Sequence, residues 1–134
     1  MPPEAPHPSE PPWLKSKLLP QGIREQLPHL YSGEEKGLAA LALVKFFTPD
    51  SNWTWYASEG SPVDEDGLYD TDKPKVDYLF FGLVSGFEVE MGYFSLSELE
   101  QARGPMRLPI ERDLHFQPKS LRELQEMHER NQPR

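Results

Sequence analysis

The stretch VKFFTPDSNWTWYASE, residues 44–59, leaves a folding chain few options. Val44, Phe46 and Phe47 on one side, and Trp53, Thr54, Trp55 and Tyr56 on the other, are residue types that fit a pleated, half-buried surface. Between them Pro49 supplies the fixed φ of a turn's first central position, Asp50 suits the second, and Ser51 and Asn52 can hydrogen-bond local backbone. A tight antiparallel hairpin follows. Alternation sets Trp53, Trp55 and Ala57 on one face and Thr54, Tyr56 and Ser58 on the other. Side chains of this size dominate whichever core or interface they enter, and a buried indole N–H needs a partner.

A second hairpin is written further on. Tyr78–Val84, YLFFGLV, is an almost unbroken apolar run of the kind found in a strand covered on both faces. Ser85 and Gly86 fit a turn. Phe87, Val89, Met91 and Tyr93 then alternate with Glu88, Glu90, Gly92 and Phe94, giving a half-buried strand with an acidic outer face. The first strand of the chain starts near Leu41, so the four strands form an antiparallel meander. Residues 60–77, GSPVDEDGLYDTDKPKVD, form a long acidic insert between the second and third strands.

Helical signals flank the sheet. Pro20 suits a first helical turn, and Ile23, Leu27 and Leu30 follow at helical spacing, so a short helix is expected over about 20–31, disturbed at Pro28. Ser95 with Glu98 and Ser97 with Glu100 both match a capping box, which predicts a helix over about 97–103 closed by Gly104–Pro105. Residues 105–118 carry three prolines and are expected to cross the sheet in extended form. Ser120 with Glu123 opens a last helix to about Arg130, with Leu121, Leu124 and Met127 or His128 inward. The fold class is therefore α+β: a four-stranded antiparallel meander packed with two or three short helices. Its limits are a proline-rich tail (1–12), one domain (13–130) and a frayed end (131–134).

Composition narrows the chemistry. The chain has no cysteine, which excludes disulfides, thiol nucleophiles and thiolate metal sites. Met1–Pro12 lacks the basic residues and apolar run of a signal peptide, and no stretch reaches the length of a membrane span, so a cytoplasmic protein without membrane contact is expected. A net charge of −8 argues against a globally basic nucleic-acid binder. The charge is uneven, with acids gathered in 59–77 and bases in the C-terminal third. No phosphate loop, dinucleotide fingerprint, nucleophile elbow or H-E-x-x-H occurs, and the histidines are scattered, so no cofactor is expected.

Three functional readings remain. The leading one is a non-enzymatic binding or regulatory domain that contacts a protein partner through residues around the first hairpin and the segment that follows the sheet: Asp50, Asn52, Trp53, Trp55, Tyr56, Arg107 and Arg112. The second is a single-stranded nucleic-acid module that stacks bases on the sheet aromatics Phe46, Trp53, Trp55, Tyr56, Phe80 and Phe81. The third is a metal-dependent enzyme. Glu111, Asp113 and His115 alternate, so in an extended strand they share a face, and two carboxylates with an imidazole can hold a divalent cation.

The segments 44–59, FFGLVSGFEVEMGYFSLSELE (80–100) and GPMRLPIERDLHFQP (104–118), with LLPQGIREQLPHLY (18–31), together resemble a bacterial family, domain of unknown function 2958. Members are commonly found on plasmids, conjugative elements and prophages. The resemblance implies an accessory role for a mobile element; with it the leading reading becomes contact with a protein of the element or its host, and a variant of that reading is an anti-defence inhibitor whose acidic loop 60–77 imitates a phosphate backbone. It carries no reaction, cofactor or catalytic residue.

Overall fold

In the computed structural model, residues 11–132 are described. Nearly all of the expected proline-rich tail, and positions 133–134 of the expected frayed end, lie outside the described residues. Pro12 does not belong to a tail: it opens a 3-10 turn, Pro12–Lys15. At the other end the last helix runs through Asn131.

The strands are β1 (Leu41–Ala42), β2 (Val44–Phe47), β3 (Thr54–Val63), β4 (Asp77–Ser85), β5 (Val89–Ser95), β6 (Glu111–Arg112) and β7 (Lys119–Ser120). The helices are α1 (Gln21–Gln26), α2 (Leu96–Gln101) and α3 (Leu121–Asn131). Mixed α+β architecture and the meander β2-β3-β4-β5 agree with the sequence reading. The sheet has five strands rather than four, in the order β5-β4-β3-β2-β6, because β6 pairs with the open edge of β2, Phe46 opposite Arg112 and Phe47 opposite Glu111. β1 and β7 form a separate antiparallel ladder.

Two boundaries differ from the expected ones for definable reasons. α1 stops at Gln26 because Leu27 precedes Pro28, whose ring disfavours helical backbone before it, and Leu27 is extended (φ −73°, ψ 122°). The acidic insert is shorter than 60–77. Gly60, Ser61, Pro62 and Val63 pair with Phe80, Leu79, Tyr78 and Asp77, so the connecting loop is 64–76. Beyond Ala57, β3 has no β2 partner, and its other edge is met by the Pro28 carbonyl, which accepts the Gly60 N–H at 2.9 Å. Proline is tolerated on such an edge. The loop itself is organised by Asp64, whose carboxylate accepts the backbone N–H groups of Asp66 and Leu68 and the Thr71 hydroxyl. Those hydrogen bonds, the Thr71 one first, hold its pKa below the ordinary carboxylate value.

One irregularity governs the sheet. Ala57 pairs with Gly82 and Glu59 with Phe81, so Ser58 is an extra residue, a β-bulge. Ahead of it Trp55 and Ala57 share a face with Val44 and Phe46; beyond it that face passes to Gly60. Phe80 lies at the centre of this layer, fully buried, with ring centroids of Phe46, Tyr78 and Phe94 at 5.5, 5.2 and 5.3 Å. Leu19, Leu27 and Ile23 from the N-terminal segment, and Leu96 and Leu99 from α2, cover it. Ser95 caps α2 by accepting the Glu98 N–H, so the first of the two overlapping capping boxes is the one used.

The opposite face is covered as well. Tyr56 and Leu83 pack against Leu121 and Leu124 of α3, with Phe81, Met91 and Phe116 at the margin. Tyr56 is 1% exposed and its hydroxyl lies 2.6 Å from His128 Nε2. Burial, with Asp113 adding to it, pushes the Tyr56 pKa up to about 12. Burial also holds the His128 imidazole below its ordinary 6.5, with the Lys45 charge acting in the same direction.

Two expectations follow. A Cβ at Gly82 would lie 1.7 Å from the Tyr56 carbonyl oxygen, so Gly82→Ala must push β3 and β4 apart. Urea unfolding should show a loss of about 3 kcal/mol or more, and a neutral result would contradict the register. For His128 the folded pKa is the lower one, so the unfolded chain takes up the proton first. Its contribution is complete above about pH 6.5 and declines as the pH falls through that value toward the folded pKa. The stability advantage of wild type over His128→Gln should therefore shrink on acidification below pH 6.5; an advantage that grows would refute the buried neutral imidazole.

Candidate functional site

The two long hairpins turn at the same end of the sheet, because Thr54 pairs with Ser85. The first turn is closed by the Thr48 N–H donating to the Trp53 carbonyl at 3.0 Å, and by the Trp53 N–H donating to the Thr48 hydroxyl at 3.1 Å. The second turn is the three residues Gly86, Phe87 and Glu88. Phe87 therefore leaves the alternation in which it reads as an inward strand residue. It is 90% exposed, with its ring edge-on to Trp53 at 5.3 Å. Gly86 makes this edge-on contact possible, since a Cβ there would sit 2.4 Å from the Trp53 ring.

Trp53 forms a ridge. On one side is a groove of about 330 Å³ lined by Val84, Gly86, Phe87, Glu88 and Glu90. On the other is a groove of about 460 Å³ lined by Trp55, Ala102, Arg103, Gly104 and Pro105. Asp50 fastens the wall of the second groove. Its Oδ2 accepts the Met106 N–H at 2.6 Å, and a side chain on Gly104 would collide with its carboxylate. Met106, 73% exposed, and Arg107, with φ of 62°, stand on the turn that Asp50 holds.

Of the residues expected to bind, Asp50, Trp53 and Trp55 thus meet at one end of the sheet, with exposed Asn52 on the turn and Arg107 on the neighbouring loop. Tyr56 does not join them, because alternation turns it to the α3 face, where it is buried against His128. Arg112 sits on β6, and its Nε is shielded from solvent without a hydrogen-bond partner. Phe87 and Met106 were not legible as site residues: in the sequence one reads as a strand position and the other as part of an extended crossing.

The proposed metal set is not assembled. The chain leaves β6 after Arg112, and Asp113 turns to accept the His115 N–H and to face Lys45 Nζ at 3.7 Å. Glu111 is exposed on the sheet edge. Among the described residues no group of three His, Asp or Glu side chains is placed to hold a metal ion. Of the aromatics named for base stacking, Phe46, Tyr56 and Phe80 are buried, whereas Trp53, Trp55 and Phe81 are half-buried.

Comparison with curated proteins and with solved structures yields no match. A family profile does match, over residues 18–129, a span that takes in every strand and all of the core described above. The chain belongs to the family described as Protein of unknown function (DUF2958).

Proposed function

We propose that this domain is a non-catalytic binding module, an accessory of a mobile element, that contacts a protein of the element or its host through the Trp53–Phe87 ledge. The observation that carries the reading is Phe87, nine-tenths exposed and set edge-on against Trp53 at a turn where alternation alone would have buried it. Isolated exposed apolar residues are ordinary. Here exposed Phe87 rests against half-buried Trp53, with exposed Met106 on the neighbouring turn that Asp50 holds, and aromatic residues and methionine are the types enriched at interface centres.

Charge indicates the partner's chemistry. Glu88 and Glu90 border the ledge, and neither makes an ion pair among the described residues. Arg103, on the other side, spends its guanidinium on the Glu100 and Ala102 carbonyls. The ledge therefore suits a protein segment that seats an apolar side chain on Trp53 and Phe87 and brings basic residues toward Glu88 and Glu90. A nucleic-acid backbone would be repelled at the same place. No helix among the described residues is long and apolar enough to cross a membrane. A cytoplasmic setting belongs to the same proposal.

The test uses Phe87→Asp. Since Phe87 is exposed, the urea midpoint should move by no more than about 0.5 kcal/mol in stability. A partner recovered from host or element lysate, then purified and measured by calorimetry, should bind this variant at least about tenfold more weakly. Equal binding by wild type, Phe87→Asp and Trp53→Ala would remove the ledge from the function.

A further inference from the structure

The Ser58 bulge has a second effect, on Glu59. It turns this residue to the same face as Phe81, where it is only 5% exposed. No hydrogen bond or ion pair to its carboxylate occurs among the described residues. Its carboxylate oxygens are nevertheless not sealed from solvent, so the side chain is covered along its length and presents its charged end to an open space formed by its neighbours. Glu59 lies at a cavity of about 350 Å³ whose walls include Tyr31, Phe81, Met91 and Tyr93.

The enclosure is built by specific residues. Gly33 stands directly over the acid: a Cβ there would be 2.9 Å from Glu59 Oε1, so any side chain at this position would crowd the carboxylate. Tyr31 adopts φ of 70°, a conformation that costs a non-glycine residue energy. In that conformation its ring lies 5.8 Å from Tyr69 and 6.1 Å from Tyr93, and Tyr93 is 5.0 Å from Phe81. The surroundings are electronegative. The Tyr93 hydroxyl titrates above its ordinary range, first through desolvation and then through Tyr31, Glu59 and Glu34. Lys36 lines the adjoining smaller cavity without forming an ion pair to Glu59.

An aromatic ring face is electron-rich and attracts cations, and a carboxylate beside it adds a full opposite charge. We propose that this pocket binds an organic cation, an alkylammonium or guanidinium group held among Tyr31, Phe81 and Tyr93 with its charge on Glu59. The walls favour an organic group over a metal ion, since thioether and ring faces replace the several oxygen donors a hard cation needs. The volume falls at the small end of ligand pockets and suits a ligand about the size of one amino acid. The cation can come from a lysine or arginine side chain of a protein or from a free small amine. The site rests on a different observation from the Trp53–Phe87 ledge and stands or falls separately.

The experiment is an NMR titration of the ¹⁵N-labelled full chain with choline, with Nα-acetyl-lysine amide and with Nα-acetyl-arginine amide. Nα-acetyl-norleucine amide serves as the neutral control. Saturable shifts at Gly33, Tyr31 and Tyr93 are expected with at least one cation and not with norleucine. Glu59→Gln should weaken that binding about tenfold or more, while its urea midpoint stays close to that of wild type because the amide keeps the shape of the side chain. Tyr93→Ala, altering a half-exposed residue, provides the second variant and should weaken binding as well. Tighter binding of a blocked amino acid than of choline identifies a protein side chain as the source; the reverse identifies a small amine. The proposal is overturned if norleucine amide titrates as strongly as the cations, if no cation saturates by roughly 50 mM, or if both variants bind as wild type does.

Discussion

A single surplus residue in the longest strand decides how this sheet can be packed. Were β3 regular through Ser58, the period of two would carry Glu59 onto the face of Trp55 and Ala57, opposite Phe80. A carboxylate would then lie inside the phenylalanine layer with nothing to pair with it. The bulge instead brings Gly60 opposite Phe80, where absence of a side chain is required: a Cβ at Gly60 would come within 2.6 Å of the Tyr78 ring and 3.1 Å of Phe80. The Phe46–Phe80–Phe94 layer, the buried Tyr56 on the other face and the position of Glu59 all depend on this displacement.

Covering both faces of the sheet restricts where the protein can meet other molecules. Helices α1 and α2 and the N-terminal segment pack on one side and α3 on the other, so the aromatic layers at the sheet's centre are enclosed. What remains are its ends and the margins between layers. The aromatic turns gather at one end. The Glu59 pocket opens at a margin, between the 3-10 turn at Gly37–Ala39, the strands and the start of α3. Several acidic side chains are committed to capping, clamping and closing turns: Asp64 its loop, Asp50 the 104–107 turn, and Asp77 the start of α2 through Ser97.

Much of this was legible in the residues. The two hairpins follow from alternation and turn chemistry, and the capping boxes at Ser95 and Ser120 place both later helices. The grouping of Asp50, Trp53 and Trp55 follows from one turn. The bulge was not legible, because neither glycine nor proline marks Ser58, and Gly60-Ser61-Pro62 reads as loop although it completes β3. β6 escaped notice because two residues carry no periodicity and pair only where β2 leaves an edge. Phe87 was misplaced for a related reason: a three-residue turn shifts the start of β5 to Val89 and frees the phenylalanine from the pattern. Glu59 was grouped by proximity in sequence with the acids of the following loop, and only the register separates it from them.

The most direct examination of the bulge is the cross-strand NOE pattern between β3 and β4 in a uniformly labelled sample. The account predicts contacts from Glu59 to Phe81 and Tyr93, from Gly60 to Phe80, and from Tyr56 to both Leu83 and His128. Contacts from Glu59 to Phe80, with Ser58 paired to Phe81, would mean a regular strand and would contradict the arrangement of both layers.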